Sequence, residues 1–154
     1  MTLAQLPRPA VVLGFAGLLP FIAGSLAVWI LPRGWSDYAL FIQVAYAAVI
    51  LSFLGAIHWG LALAGTGTDG SDRAAMTWSR LGWSVVPALL GWFALVMTPL
   101  PGLILLILAF FGLLQGDVLA VRRGQAPAWY IAMRRPLTAT VILCLGLSLI
   151  RILL

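Results

Sequence analysis

A chain of 154 residues that is 63% hydrophobic and only 8% charged, with a mean hydropathy of +1.10, cannot present an ordinary water-facing surface, since soluble domains carry about 25% charged residues. Its net charge of +5 comes entirely from arginine and aspartate, and the arginines stand at the ends of apolar runs rather than along one face, which argues against nucleic acid as a partner. The single cysteine, Cys144, lies inside an apolar run, so neither a disulfide framework nor a cysteine metal site can form. An integral membrane protein follows.

A helix needs about 20 apolar residues to cross the hydrocarbon core, and five segments qualify. The first, residues 9–31, carries Pro20 near its middle, where a proline frees carbonyls and bends a helix. Its apolar run exceeds the roughly 7–15 residues of a signal-peptide core, so the span is expected to be retained despite the small residues Gly24-Ser25-Leu26-Ala27. No arginine- and serine-rich transit segment precedes it, which favours a bacterial inner membrane. Pro32-Arg33-Gly34-Trp35-Ser36-Asp37 reads as a short turn into the second span, residues 38–64. Residues 65–72 form a polar loop able to cap the third span, residues 74–97, which contains Pro87. Thr98-Pro99-Leu100-Pro101 makes a tight hairpin whose last proline starts the fourth span, residues 101–121. Residues 122–135 form the longest connection, and residues 136–154 the fifth span. The expected fold is one integral membrane domain over residues 1–154, an all-α polytopic bundle of five transmembrane helices.

Arginine placement tests that count. With five spans, Arg8, Arg73, Arg80, Arg122, Arg123, Arg134 and Arg135 fall on one side, against Arg33 and Arg151 on the other. The bias puts the N-terminus in the cytoplasm and the C-terminus outside. Small residues (Ala45, Ala48, Ser52, Gly55 and Ala56, then Gly112 and Gly116) mark close helix contacts, read as packing within the bundle. Tryptophans near the span ends read as interfacial anchors.

The polar residues inside the spans need a separate explanation, because an unpaired polar group in hydrocarbon is costly. His58, the chain's only histidine, lies about 9 Å inward from the cytoplasmic end of the second span. Asp117 lies about 8 Å inward in the fourth, and Arg80 about 10 Å inward in the third. Ser84 and Gln115 accompany them on the same helices. One account is structural: Arg80 snorkels or pairs with Asp117, and His58 is packed against a carbonyl. The other is a polar pocket open to the cytoplasmic side, formed by His58, Asp117, Arg80, Ser84 and Gln115. In that pocket Asp117 fixes the tautomer of His58, and a quinone headgroup, an anionic lipid headgroup or a proton is held.

Other chemistries are excluded more firmly. One histidine and one cysteine cannot build a bis-histidine haem or an ordinary zinc site. No nucleophile elbow, phosphate-binding glycine loop or paired carboxylates appear. Ser52 points about 120° away from His58 around the helix, which leaves no local Ser–His pair. No metal and no catalytic residue are assigned. The connection at residues 122–135 reads as a surface-lying segment in which Trp129, Tyr130 and Met133 dip into the interface between arginine pairs. Trp129, Tyr130 and Arg134 are its candidate interfacial or partner-docking residues.

Several segments together resemble a family of small membrane proteins of unknown function that includes mitochondrial transmembrane protein 69. They are Leu13-Gly14-Phe15-Ala16-Gly17-Leu18-Leu19-Pro20-Phe21, Ile50-Leu51-Ser52-Phe53-Leu54-Gly55-Ala56-Ile57-His58-Trp59-Gly60, Asp117, Gly124-Gln125-Ala126-Pro127-Ala128-Trp129-Tyr130, Arg134 and Leu137-Thr138. The resemblance implies a five-span domain shared by bacteria and mitochondria, and it carries over no activity or catalytic residue. The leading expectation is a non-enzymatic inner-membrane protein with an accessory, assembly, lipid- or quinone-interacting role in an energy-transducing membrane. Its partners would be membrane lipids and other membrane-protein subunits, and its only cofactor a bound lipid or quinone. The alternative is a small transporter or proton-coupled carrier working through the His58/Asp117 pair.

Overall fold

The structure, a computed structural model, describes residues 7–64 and 77–154. The expected loop at residues 65–72, with Asp69 and Asp72, and Arg73 beyond it, lie outside the described residues. Among the described residues there are six α-helices: α1 (Arg8–Ala16), α2 (Leu19–Ile30), α3 (Arg33–Ala64), α4 (Trp78–Val96), α5 (Pro99–Arg122) and α6 (Ala128–Leu153). Together α1 and α2 make one apolar crossing, so five crossings are long and apolar enough to span a membrane.

The α1–α2 break has a local cause. Pro20 has no N–H to return to the carbonyl of Ala16, so the ladder fails there. The chain tightens instead, with Leu18 N–H donating to the Phe15 carbonyl at 3.0 Å. Across the bundle, the Tyr46 hydroxyl donates to the Gly17 carbonyl at 3.0 Å, which satisfies a group the break exposes.

The fourth span begins at Pro99 rather than Pro101, with Thr98 as its N-cap, and two further connections differ from expectation. The segment read as a turn at residues 32–37 is the first turn of α3: Ser36 N–H reaches the Pro32 carbonyl at 2.9 Å. The Ser36 hydroxyl also donates back to the Val28 carbonyl at 2.8 Å. Pro32 sits just ahead of the helix, where a missing N–H costs nothing. The 32-residue α3 is therefore about 48 Å long, longer than the hydrocarbon core of about 30 Å.

The second correction concerns residues 122–135. Their second half is not a surface-lying segment but the start of α6, which begins at Ala128 and continues through Pro136. A proline there removes one backbone donor, while the buried face of the helix runs on uninterrupted through Tyr130, Arg134, Leu137, Thr138 and Val141. Packing of that face outweighs the lost hydrogen bond.

The spans close into a ring in which α2 packs on α3, α3 on α4, α4 on α5, α5 on α6 and α6 back on α2, with α3 also touching α5. Leu51, Leu103, Leu106 and Leu145 are fully buried at its centre. Phe21 there meets Tyr46 and Phe110 edge-on at 5.1 and 6.1 Å. Outward-facing residues such as Phe41, Val49, Phe53, Phe93, Phe111 and Leu143 are exposed and apolar, as a lipid-facing surface requires. Of the small residues, Ala48, Gly55 and Gly116 sit at close helix contacts, whereas Ala56 is exposed and Gly112 faces open space. A Cβ on Gly55 would lie 2.5 Å from the Ser84 carbonyl oxygen, so only glycine lets α3 and α4 approach this closely.

At the end of the bundle where α2 finishes, a neutral network that sequence reasoning missed joins three helices. Gln43 Nε2 donates to the Ser25 hydroxyl at 2.8 Å and to the Phe21 carbonyl at 3.2 Å. Gln43 Oε1 accepts from the Ser148 hydroxyl at 2.7 Å, and the Ser25 hydroxyl donates to the Cys144 carbonyl at 2.8 Å.

Candidate functional site

The opposite end of the bundle holds the buried charged residues. His58 on α3, Asp117 on α5 and Arg134 on α6 are all more than nine-tenths buried. His58 Nε2 lies 2.8 Å from Asp117 Oδ1, and Arg134 Nε donates to Asp117 Oδ2 at 2.8 Å. An ionised Asp117 carboxylate only accepts, so the contact then requires the proton on His58 Nε2. Each carboxylate oxygen thus has one donor, and the Arg134 charge offsets that of Asp117.

The expectation that Asp117 and Arg80 meet is corrected here. Asp117 pairs with Arg134, the residue assigned to a surface loop. The depth arithmetic places a residue along a helix axis but not around it. Arg134 is brought in because α6 packs on α5 and its face at Tyr130, Arg134 and Thr138 turns inward. The usable signal was that four-residue spacing, which continues the apolar phase of the last span backward past Pro136. Tyr130 is likewise buried rather than interfacial, while Trp129 is half-buried beside it, with ring centroids 6.3 Å apart.

Arg80 instead lines a cavity of about 520 Å³ that reaches His58. Gln115, exposed on α5, lines it too, together with the unanticipated Arg123, Gln125 and Trp83. Ser84 does not line this cavity: it is buried against α3, and its hydroxyl donates to the Leu81 carbonyl at 2.6 Å. Thr77 caps α4, its hydroxyl accepting from the Arg80 backbone N–H at 3.3 Å, which fixes where the Arg80 side chain begins.

The cavity adjoins an apolar groove of about 220 Å³ between α4 and α5, walled by Val86, Pro87, Leu90, Leu105 and Leu108. Trp83 and Gly112 line both spaces. A Cβ on Gly116 would lie 2.6 Å from the Trp83 ring, so this glycine seats the indole against α5. At Gly112 no heavy atom would come within 4 Å of an added Cβ, which leaves the junction between cavity and groove open. The result is a polar mouth with two guanidinium groups and an imidazole, continued by an apolar groove along α4 and α5 that opens on the outer surface at Val86 and Leu108.

A third space, about 140 Å³, lies on the other side of the ion cluster and is lined by Arg134 but not His58. Among the described residues no three His, Cys, Asp or Glu side chains gather as a metal site.

The profile of the family described as "Protein of unknown function (DUF3429)" matches residues 6–150. The chain is similar to transmembrane protein 69 of Xenopus tropicalis, with 36% identity over 150 residues, covering 96% of this chain and 56% of that protein. It is also similar to transmembrane protein 69 of Mus musculus, with 34% identity over 92 residues, covering 60% of this chain and 35% of that protein. The chain therefore spans about half the length, or less, of the curated relatives it matches. No solved structure matches it.

Proposed function

The chain belongs to the DUF3429 family of membrane proteins, and from that premise we propose that it binds an anionic phospholipid without catalysing a reaction. The headgroup sits in the cavity at His58, Arg80 and Arg123, and an acyl chain lies in the α4–α5 groove. One observation carries this reading: the polar mouth and the apolar groove share Trp83 and Gly112 as walls. Guanidinium groups bind phosphate oxygens through charge-assisted, often bidentate hydrogen bonds. A tryptophan at the boundary between polar and apolar zones suits the depth at which a headgroup meets its chains. The protein is proposed to sit in a bacterial inner membrane with Arg80 and Arg123 toward the cytoplasm, serving there as an accessory or assembly subunit of an energy-transducing complex. The arginine asymmetry supports that orientation.

The test is thermal unfolding of the detergent-solubilised full chain titrated with phosphatidylglycerol or phosphatidylcholine. Phosphatidylglycerol is expected to raise Tm more, and the Arg80→Ala/Arg123→Ala variant to lose that preference. Equal stabilisation by both lipids overturns the reading.

A second reading, a proton-coupled carrier, draws on the position of His58–Asp117–Arg134 between two cavities. It predicts proton flux in proteoliposomes that Asp117→Asn abolishes.

A further inference from the structure

The smallest of the three spaces has a different chemistry. Tyr130, Arg134 and Thr138 follow one another at four-residue spacing, one above the next on a single face of α6. They are 6%, 4% and 1% exposed. Among the described residues, Tyr130 Oη, Arg134 Nη2 and Thr138 Oγ1 have no hydrogen-bond partner. All three residues line the 140 Å³ space. Buried polar atoms in native structures are nearly always paired, so three unpaired donors around one space mark something that space receives.

The surroundings define what fits. Arg134 spends its Nε on Asp117, and its charge is already offset there. The remaining Nη2, with the two hydroxyls, therefore offers donors without a net charge to neutralise, which favours a neutral acceptor over an anion. The walls are apolar: Leu18, Phe21, Leu54, Phe110 and Val141. The space reaches Leu13 and Phe53, which are 72% and 62% exposed on the apolar outer surface. Its mouth thus faces lipid, between α1 and α3, and the ligand must be lipid-soluble. An apolar cavity of about 150 Å³ accepts one benzene ring, so the space is the size of one six-membered ring.

We propose that this space is a second binding site, which takes the ring of a neutral quinone-class molecule entering from the bilayer. The ring lies between Phe21 and Phe110 on one side and α6 on the other. Its carbonyl oxygens accept from Tyr130, Arg134 Nη2 and Thr138. The site is distinct from the phospholipid cavity, with which it shares no lining residue.

The experiment titrates the detergent-solubilised full chain with a decyl-substituted benzoquinone and reads affinity calorimetrically. Wild type binds one equivalent. Tyr130→Phe and Thr138→Val each weaken binding about fivefold, the worth of one hydrogen bond, and neither lowers the unliganded Tm, because each removes a hydroxyl that has no protein partner. Arg80→Ala/Arg123→Ala leaves quinone affinity unchanged, which separates this site from the phospholipid reading. Absence of binding to wild type, which would mean a water-filled space only, overturns the proposal. So does an affinity that neither hydroxyl variant changes, or one that falls with the Arg80/Arg123 variant instead.

Discussion

The two buried polar clusters, about 22 Å apart along α3, solve the same problem in opposite ways. Gln43, Ser25 and Ser148 carry no charge, and their donors and acceptors are used up on one another and on the carbonyls of Phe21 and Cys144. That network closes on itself and holds α2, α3 and α6 in register. Asp117 and Arg134 are an ion pair, joined by the His58 ring, and they leave an Arg134 donor unspent. They also lie between cavities that open at two different places. Hydrogen-bonding capacity consumed internally makes a fastener. Capacity left over next to space makes a candidate site.

Substitutions sharpen that contrast. The largest effect is expected for Asp117→Ala, which strands the Arg134 charge in the bundle: a loss of about 3–5 kcal/mol, read as a fall in detergent unfolding midpoint, accompanied by weaker phospholipid binding because His58 loses its anchor. Gln43→Leu removes hydrogen bonds from a network with no charge to strand, and in membrane bundles each bond contributes modestly, so about 1–2 kcal/mol is expected. Phospholipid preference should not change in that variant, and a change would erase the distinction between fastener and site. Ser84→Ala should alter stability by no more than about 0.5 kcal/mol and binding not at all, because its hydroxyl only answers a carbonyl one turn back.

Much of this arrangement was legible in the residues. Proline and glycine punctuation and the alternating arginines yield five spans, and counting inward from the span ends puts His58 and Asp117 at one depth, where they meet. Counting fails around the helix axis. Arg80 shares that depth yet faces the cavity, while Arg134 reaches Asp117 from a helix whose start was masked by Pro136, a residue that reads as a beginning but sits inside. Gln43 was overlooked because one amide in an apolar span gives no sign of its partners, which lie 18 and 105 residues away. The cavities depend on which side chains fail to fill space, as at Gly112, and no local pattern encodes that.

The most direct test is native mass spectrometry of the gently solubilised full chain beside Arg80→Ala/Arg123→Ala and Gln43→Leu. The account predicts one retained anionic phospholipid on wild type and on Gln43→Leu, and its loss from the double-arginine variant. Retention of the same lipid by all three proteins would contradict it.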